Sequence, residues 1–369
     1  MASHSRSLLA ATVTMLGVSL AACAPPSGTG VGSSSTTAPA RTSVAPPTSS
    51  TTTTPVTTTV APGDLAAWSW SSPVTVLSDP VVGRLACPRS GLCIAGGSDG
   101  TLLWTIDPGG PSTWHSTLLA PGSGIDDVGC APTGLCLAWS MNGSVYASAD
   151  PTGGRSAWRR STAAPGFSLE TSCFSSFCMA GGTTGIIYTS GDPAGASPRW
   201  QSLNLNAEIP GFSSGIDSLA CPSLGLCVIG GSTGVIYWST DPQASQPSWA
   251  EATELDEPID SLSCAGTGLC VGGGSAGHML WSSDPAAGGG SWQSALVVAH
   301  GGIGAVSCPT ASLCVSGTTL GTVVWSTTPT GGASTWRSRK VDSAPIVAFR
   351  KLDSRVARWL GIDGGHAAS

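Results

Sequence analysis

The sequence predicts an all-β fold, a β-propeller of four-stranded blades, on three observations. Cysteines fall in close pairs at 87/93, 130/136, 173/178, 221/227, 264/270 and 308/314, and the first of each pair recurs at intervals of 43, 43, 48, 43 and 44. Behind every pair come a glycine-containing turn, a short apolar run, then Asp-Pro (Thr328-Pro329 in the last copy) and a tryptophan. Each copy divides into four short strand-like runs separated by turn residues. A repeat of this length with four strands matches a propeller blade, whereas helical repeats need a 3.6-residue periodicity that the runs lack.

The first 22 of the 369 residues read as an export signal rather than as structure. Arg6 precedes LLAATVTMLGVSLAA (8–22), an apolar run shorter than the roughly 20 residues of a membrane span. The run ends in Leu20-Ala21-Ala22-Cys23, which resembles the lipobox of bacterial lipoproteins. That resemblance implies cleavage before Cys23 and a lipid on its thiol. Residues 23–63 form the anchor and a Ser/Thr/Pro-rich tether too poor in apolar side chains to offset the entropy of ordering. Extended at about 3 Å per residue, a tether of this kind reaches on the order of 100 Å.

Residues 64–369 are the expected propeller. In the fourth repeat the strands are expected at 216–221, 226–231, 234–239 and 248–255. Seven Trp-led fourth strands, from Trp68 to Trp336, favour seven blades, with AAWSWSSPVTVL (66–77) pairing into a degenerate last blade at 344–369. Six blades with a helical tail is the alternative.

Twelve cysteines in short-loop pairs of an exported chain read as six intra-blade disulfides, Cys87–Cys93, Cys130–Cys136, Cys173–Cys178, Cys221–Cys227, Cys264–Cys270 and Cys308–Cys314. No metal or cofactor site is expected, because the histidines do not accompany the cysteine pairs. The net charge of −6 argues against nucleic acid as a partner.

SSDPAAGGGSW (282–292) and SADPTGGRSAW (148–158) resemble the Asp-box, or BNR repeat, of the sialidase-like propellers, with extra residues between Asp and Trp. The resemblance implies loops between third and fourth strands locked by the aspartates and closing tryptophans. Trp238, Trp281 and Trp325, on third strands, are expected between blades.

Propeller geometry puts the disulfides and Asp-Pro loops on one face, which reads as scaffold, and the inter-blade loops on the other. Asp126, Asp217 and Asp260 each lie four residues before a first cysteine, and Glu170 lies three before. These are the candidate ligand-binding residues, a carboxylate ring at one channel mouth that would attract a cation or a basic ligand. The sialidase reaction needs an arginine cluster and a Tyr–Glu pair, but Tyr146, Tyr188 and Tyr237 all fall on third strands. The sequence therefore favours noncatalytic binding or scaffolding in the bacterial envelope, with a protein or cell-wall glycan as partner. The alternative is a glycan-active hydrolase.

Overall fold

A computed structural model describes residues 82–341, apart from 90, 109–112, 163–169, 211 and 213, together with 346. The export segment with Cys23, the tether, strand 66–77 and the tail beyond 346 lie outside the described residues.

Six four-stranded antiparallel sheets follow one another, each with its strands in sequence order. In blade four the strands are Ile216–Ser223, Leu226–Gly231, Val235–Ser239 and Ala250–Glu254. They form where β-branched and aromatic residues run between Gly-rich turns. Second strands are buried on both faces, as LCVIGG is in blade four. Fourth strands are mostly exposed, as Arg337–Lys340 is in blade six. Glycine at the second-to-third turn has positive φ, +89° at Gly234 and +99° at Gly277, a conformation that side chains with a Cβ avoid.

Each blade packs on the next through one repeated arrangement. The second strand of one blade meets the disulfide and the closing tryptophan of its successor. Leu92 and Ile94 thus lie with Cys130, Cys136 and Trp158, and Leu269 and Val271 with Cys308, Cys314 and Trp336. A glycine on the second strand admits the isoleucine that opens the next blade: a Cβ on Gly230 would sit 2.7 Å from Ile259 Cγ2, and one on Gly273 2.2 Å from Ile303 Cγ2.

The seven-blade expectation is corrected by the same arrangement. Leu313, Val315 and Trp325 of blade six share one core with Cys87, Cys93 and Trp114 of blade one. Blade six thus meets the disulfide and closing tryptophan of blade one as the other blades meet those of their successors, although the isoleucine admitted at Gly317 is Ile346 rather than a residue of blade one, and the described residues form six blades. The count of seven rested on Trp68 in 66–77 and on 344–369, which, Ile346 apart, lie outside the described residues.

All six cysteine pairs are joined, with Cα–Cα distances of 4.0–4.1 Å. Each links the first and second strands of its own blade. Among the described residues no helix is long and apolar enough to cross a membrane.

Candidate functional site: the two mouths of the channel

First strands line the central channel. They start at the face of the inter-blade loops and end at the disulfides, so the channel has an acid mouth and a disulfide mouth. Side-chain hydroxyls stitch neighbouring first strands together: Ser218 donates to the Ile259 carbonyl at 2.7 Å, and Cys221 and Cys308 N–H groups donate to Ser172 and Ser263.

At the acid mouth, pairing skips one residue in five of the six first strands. Ile216 pairs with Gly231 and Ser218 with Gly230, leaving Asp217 as the extra residue of a bulge. Asp126 and Asp260 occupy the same bulge in blades two and five. A bulge re-aims its extra side chain, and here it places the three aspartates at half-buried positions. Burial holds Asp217 above the usual carboxylate range. Asp260 is pushed up to about 6, first by burial and then by the charges of Asp217 and Glu257. Glu257, in the loop entering blade five, is itself buried and accepts from the backbone of Ala276 and from the ring Nδ1 of His278.

Glu170 does not belong with these three. Blade three has no bulge, and Glu170 pairs with Gly181 as Asp127 pairs with Trp139 and Arg84 with Gly96. Arg84 of blade one donates to Glu170 at 2.9 Å and lies 3.6 Å from Asp127. The expected ring of like carboxylates is therefore divided: Glu170 shares the single Arg84 guanidinium with Asp127, Asp260 feels the charges of Asp217 and Glu257, and Asp126 stands on the bulge of blade two. Sequence reading missed Arg84, Asp127, Glu257 and His278. The first two stand three residues before their cysteines, as Glu170 does, so the repeat offset carries them. Glu257 and His278 are brought together by loop geometry that no spacing encodes.

The disulfide mouth differs from its expected role as plain scaffold. First strands converge there on a cavity of about 410 Å³, to which every blade contributes its first cysteine. Pro88, Pro132, Phe174, Pro222, Ala265 and Pro309 complete an apolar wall. Arg89 is the only charged residue between the paired cysteines of all six turns. Further out, each loop between third and fourth strands is locked by a buried Ser or Thr. Its hydroxyl accepts from the N–H two residues on: Thr105 from Asp107, Ser148 from Asp150, Ser239 from Asp241, Ser282 from Asp284 and Ser326 from Thr328. The expected aspartate lock is present in blade four, where Asp241 accepts from the Ser248 N–H at 2.8 Å, while Thr328 shows that the loop also forms without an aspartate. The closing tryptophans chiefly pack between blades. The ring nitrogens of Trp114, Trp158, Trp249 and Trp336 have no hydrogen-bond partner among the described residues, while Trp292 reaches the Pro285 carbonyl at a long 3.4 Å.

No family model matches this chain, and no curated protein matches it. Among solved structures, the crystal structure of RRP9 WD40 repeats is similar with a TM-score of 0.51 at 11% identity, over 66% of this chain and 75% of that one. The structure of U3-55K is similar with a TM-score of 0.50 at 11% identity, over 66% and 76% of the two chains. The likeness is one of fold. The protein is a β-propeller, with six blades among the described residues.

Proposed function

We propose that the protein is a noncatalytic binding or scaffolding lipoprotein of the bacterial envelope. In this reading Cys23 carries the lipid, residues 23–63 tether the ring, and the ring holds a protein partner at the disulfide mouth. Six disulfides point to an oxidising, extracytoplasmic compartment. The Asp-Pro loops support kinship with Asp-box propellers by their position in the blade and, in blade four, by the bond that Asp241 accepts from Ser248.

The observation that carries the binding reading is the cavity to which all six blades contribute. A concave apolar site on a scaffold rigid enough to keep its shape is the usual form of a binding site. A photocrosslinking side chain placed at Ala311, on the cavity rim, tests this in intact cells against one placed at the exposed Gln201. Protein adducts from position 311 alone are expected. Adducts from neither position, or equally from both, contradict it. In the same cells Cys23→Ser is expected to release the protein from the membrane fraction.

One observation favours the hydrolase reading: Asp260 is raised to about 6 by burial and by the nearby charge of Asp217, and a carboxyl group kept protonated beside a second one is a tool of glycoside hydrolysis. Release of reducing ends from purified wall glycan, abolished by Asp260→Asn, would establish it.

A further inference from the structure

The cavity at the disulfide mouth is walled mainly by apolar groups. The hydroxyls of Ser172 and Ser263 in its wall already accept from the Cys221 and Cys308 N–H groups. A glycan would lose its hydration there for few polar partners in return, which is costly. A single apolar or aromatic side chain fits the wall chemistry, because a buried anchor surrounded by contacts that exclude water is how a small pocket contributes affinity.

The surroundings have the opposite character. Asp107, Asp150, Asp192, Asp241 and Asp284 are all exposed on this face, at equivalent places in five consecutive blades. None of the five makes an ion pair among the described residues. Burial raises Asp241, but hydrogen bonds from Ser248 and Ser239 together hold it below the usual carboxylate range. Basic side chains in the same loops are Arg155, which lies over the Tyr146 ring, and Arg199, which lines a groove with Asp192. Blades four and five, with Asp241 and Asp284, have no arginine or lysine in these loops.

The distance between the two features follows from the sheet. A loop joining third and fourth strands lies about two and a half strand spacings, or about 12 Å, outward of the first strand, and an extended peptide covers that in about four residues.

Resting on the binding reading above, we propose that the disulfide mouth is a peptide-docking site. Its occupant is an extended polypeptide segment that inserts one apolar side chain into the Cys/Pro-lined cavity and sets a lysine or arginine, about four residues away, against Asp241 or Asp284.

The test pans a random twelve-residue peptide display library against the purified full chain in detergent. Enriched peptides are expected to carry an apolar or aromatic residue with a basic residue three to five positions from it. Their binding falls about tenfold or more on Ala311→Arg, which fills the cavity from an exposed rim position. It weakens more gently on joint Asp241→Asn and Asp284→Asn, and with added salt. A chito-oligosaccharide probe does not compete. Thermal unfolding confirms that each variant is folded. Peptides without basic residues, or binding untouched by Ala311→Arg but lost on Asp217→Asn, overturn the assigned chemistry while the protein remains a binding module. No enrichment above an unrelated immobilised protein overturns both. Competition by the chito-oligosaccharide moves the site to glycan.

Discussion

Arg84 on the first blade and Glu170 on the third are joined at 2.9 Å across the intervening second blade, whose Asp127 lies 3.6 Å from the same guanidinium. Both carboxylates are almost fully buried, their side chains 4% and 1% exposed. Removing the arginine leaves two buried acids without their cation, which costs far more than the pair contributes when intact. Arg84→Met is expected to lower the free energy of unfolding by about 3 kcal/mol, read by urea denaturation. The triple variant with Asp127→Asn and Glu170→Gln is expected to recover most of it.

The opposite side of the acid mouth has a pH signature. Asp260 is raised from 3.8 to about 6, so its proton is held more tightly in the folded chain than in the unfolded one. This favours folding below pH 3.8 and is lost as pH rises towards about 6. Asp260→Asn should therefore match the wild type in acid and be the more stable above pH 6. The side chain is half-exposed and screened by water, so the gain is about 1 kcal/mol rather than the full value of the shift. Denaturation of both proteins across pH checks it, and a constant difference would be the contrary result.

Blade spacing depends on glycine where one sheet meets the next. A Cβ at Gly273 would lie 2.2 Å from the buried Ile303. Gly273→Ala is expected to cost about 2 kcal/mol through overpacking. Gly290, with nothing within 4 Å of its Cβ position, should accept alanine at no cost. Thermal melts of the two variants decide whether the close approach is real.

Each disulfide closes a loop of only a few residues, so by loop entropy it is worth about 2–3 kcal/mol. Its sulfurs also fill the interface between blades. Cys221→Ser with Cys227→Ser should cost at least that much, because serine in the blade three–four core leaves buried hydroxyls as well. Equilibrium unfolding of this variant with its other five disulfides intact is the measurement.

Much of this architecture was legible because each blade writes the same contacts again. The offset of Asp126, Asp217 and Asp260 from their cysteines located three side chains in one structural position, and the cysteine spacing gave the pairing. The blade count was not legible from Trp68 or from 344–369, since a strand-like run does not say which edge it meets. Glu170 was assigned to the wrong group because a bulge shifts register by one residue, and the missing bulge of blade three leaves no mark in its composition. The cavity was passed over because Cys, Pro and Ala carry no chemistry one at a time. It arises only when six turns converge.

Ring closure is the claim on which the cavity and both mouths depend. Trp104 of blade one packs with Trp158 of blade two, Trp238 with Trp292, and Trp281 with Trp336, each third-strand tryptophan sharing a core with the closing tryptophan of the next blade. Trp325 of blade six and Trp114 of blade one share a core in the same way. A double-mutant cycle with Trp325→Leu and Trp114→Leu, run beside one with Trp281→Leu and Trp336→Leu, measures whether that contact exists. A six-bladed ring predicts a similar coupling of at least about 0.5 kcal/mol in both cycles. Coupling between Trp281 and Trp336, with Trp325 and Trp114 simply additive, would mean that something stands between blade six and blade one.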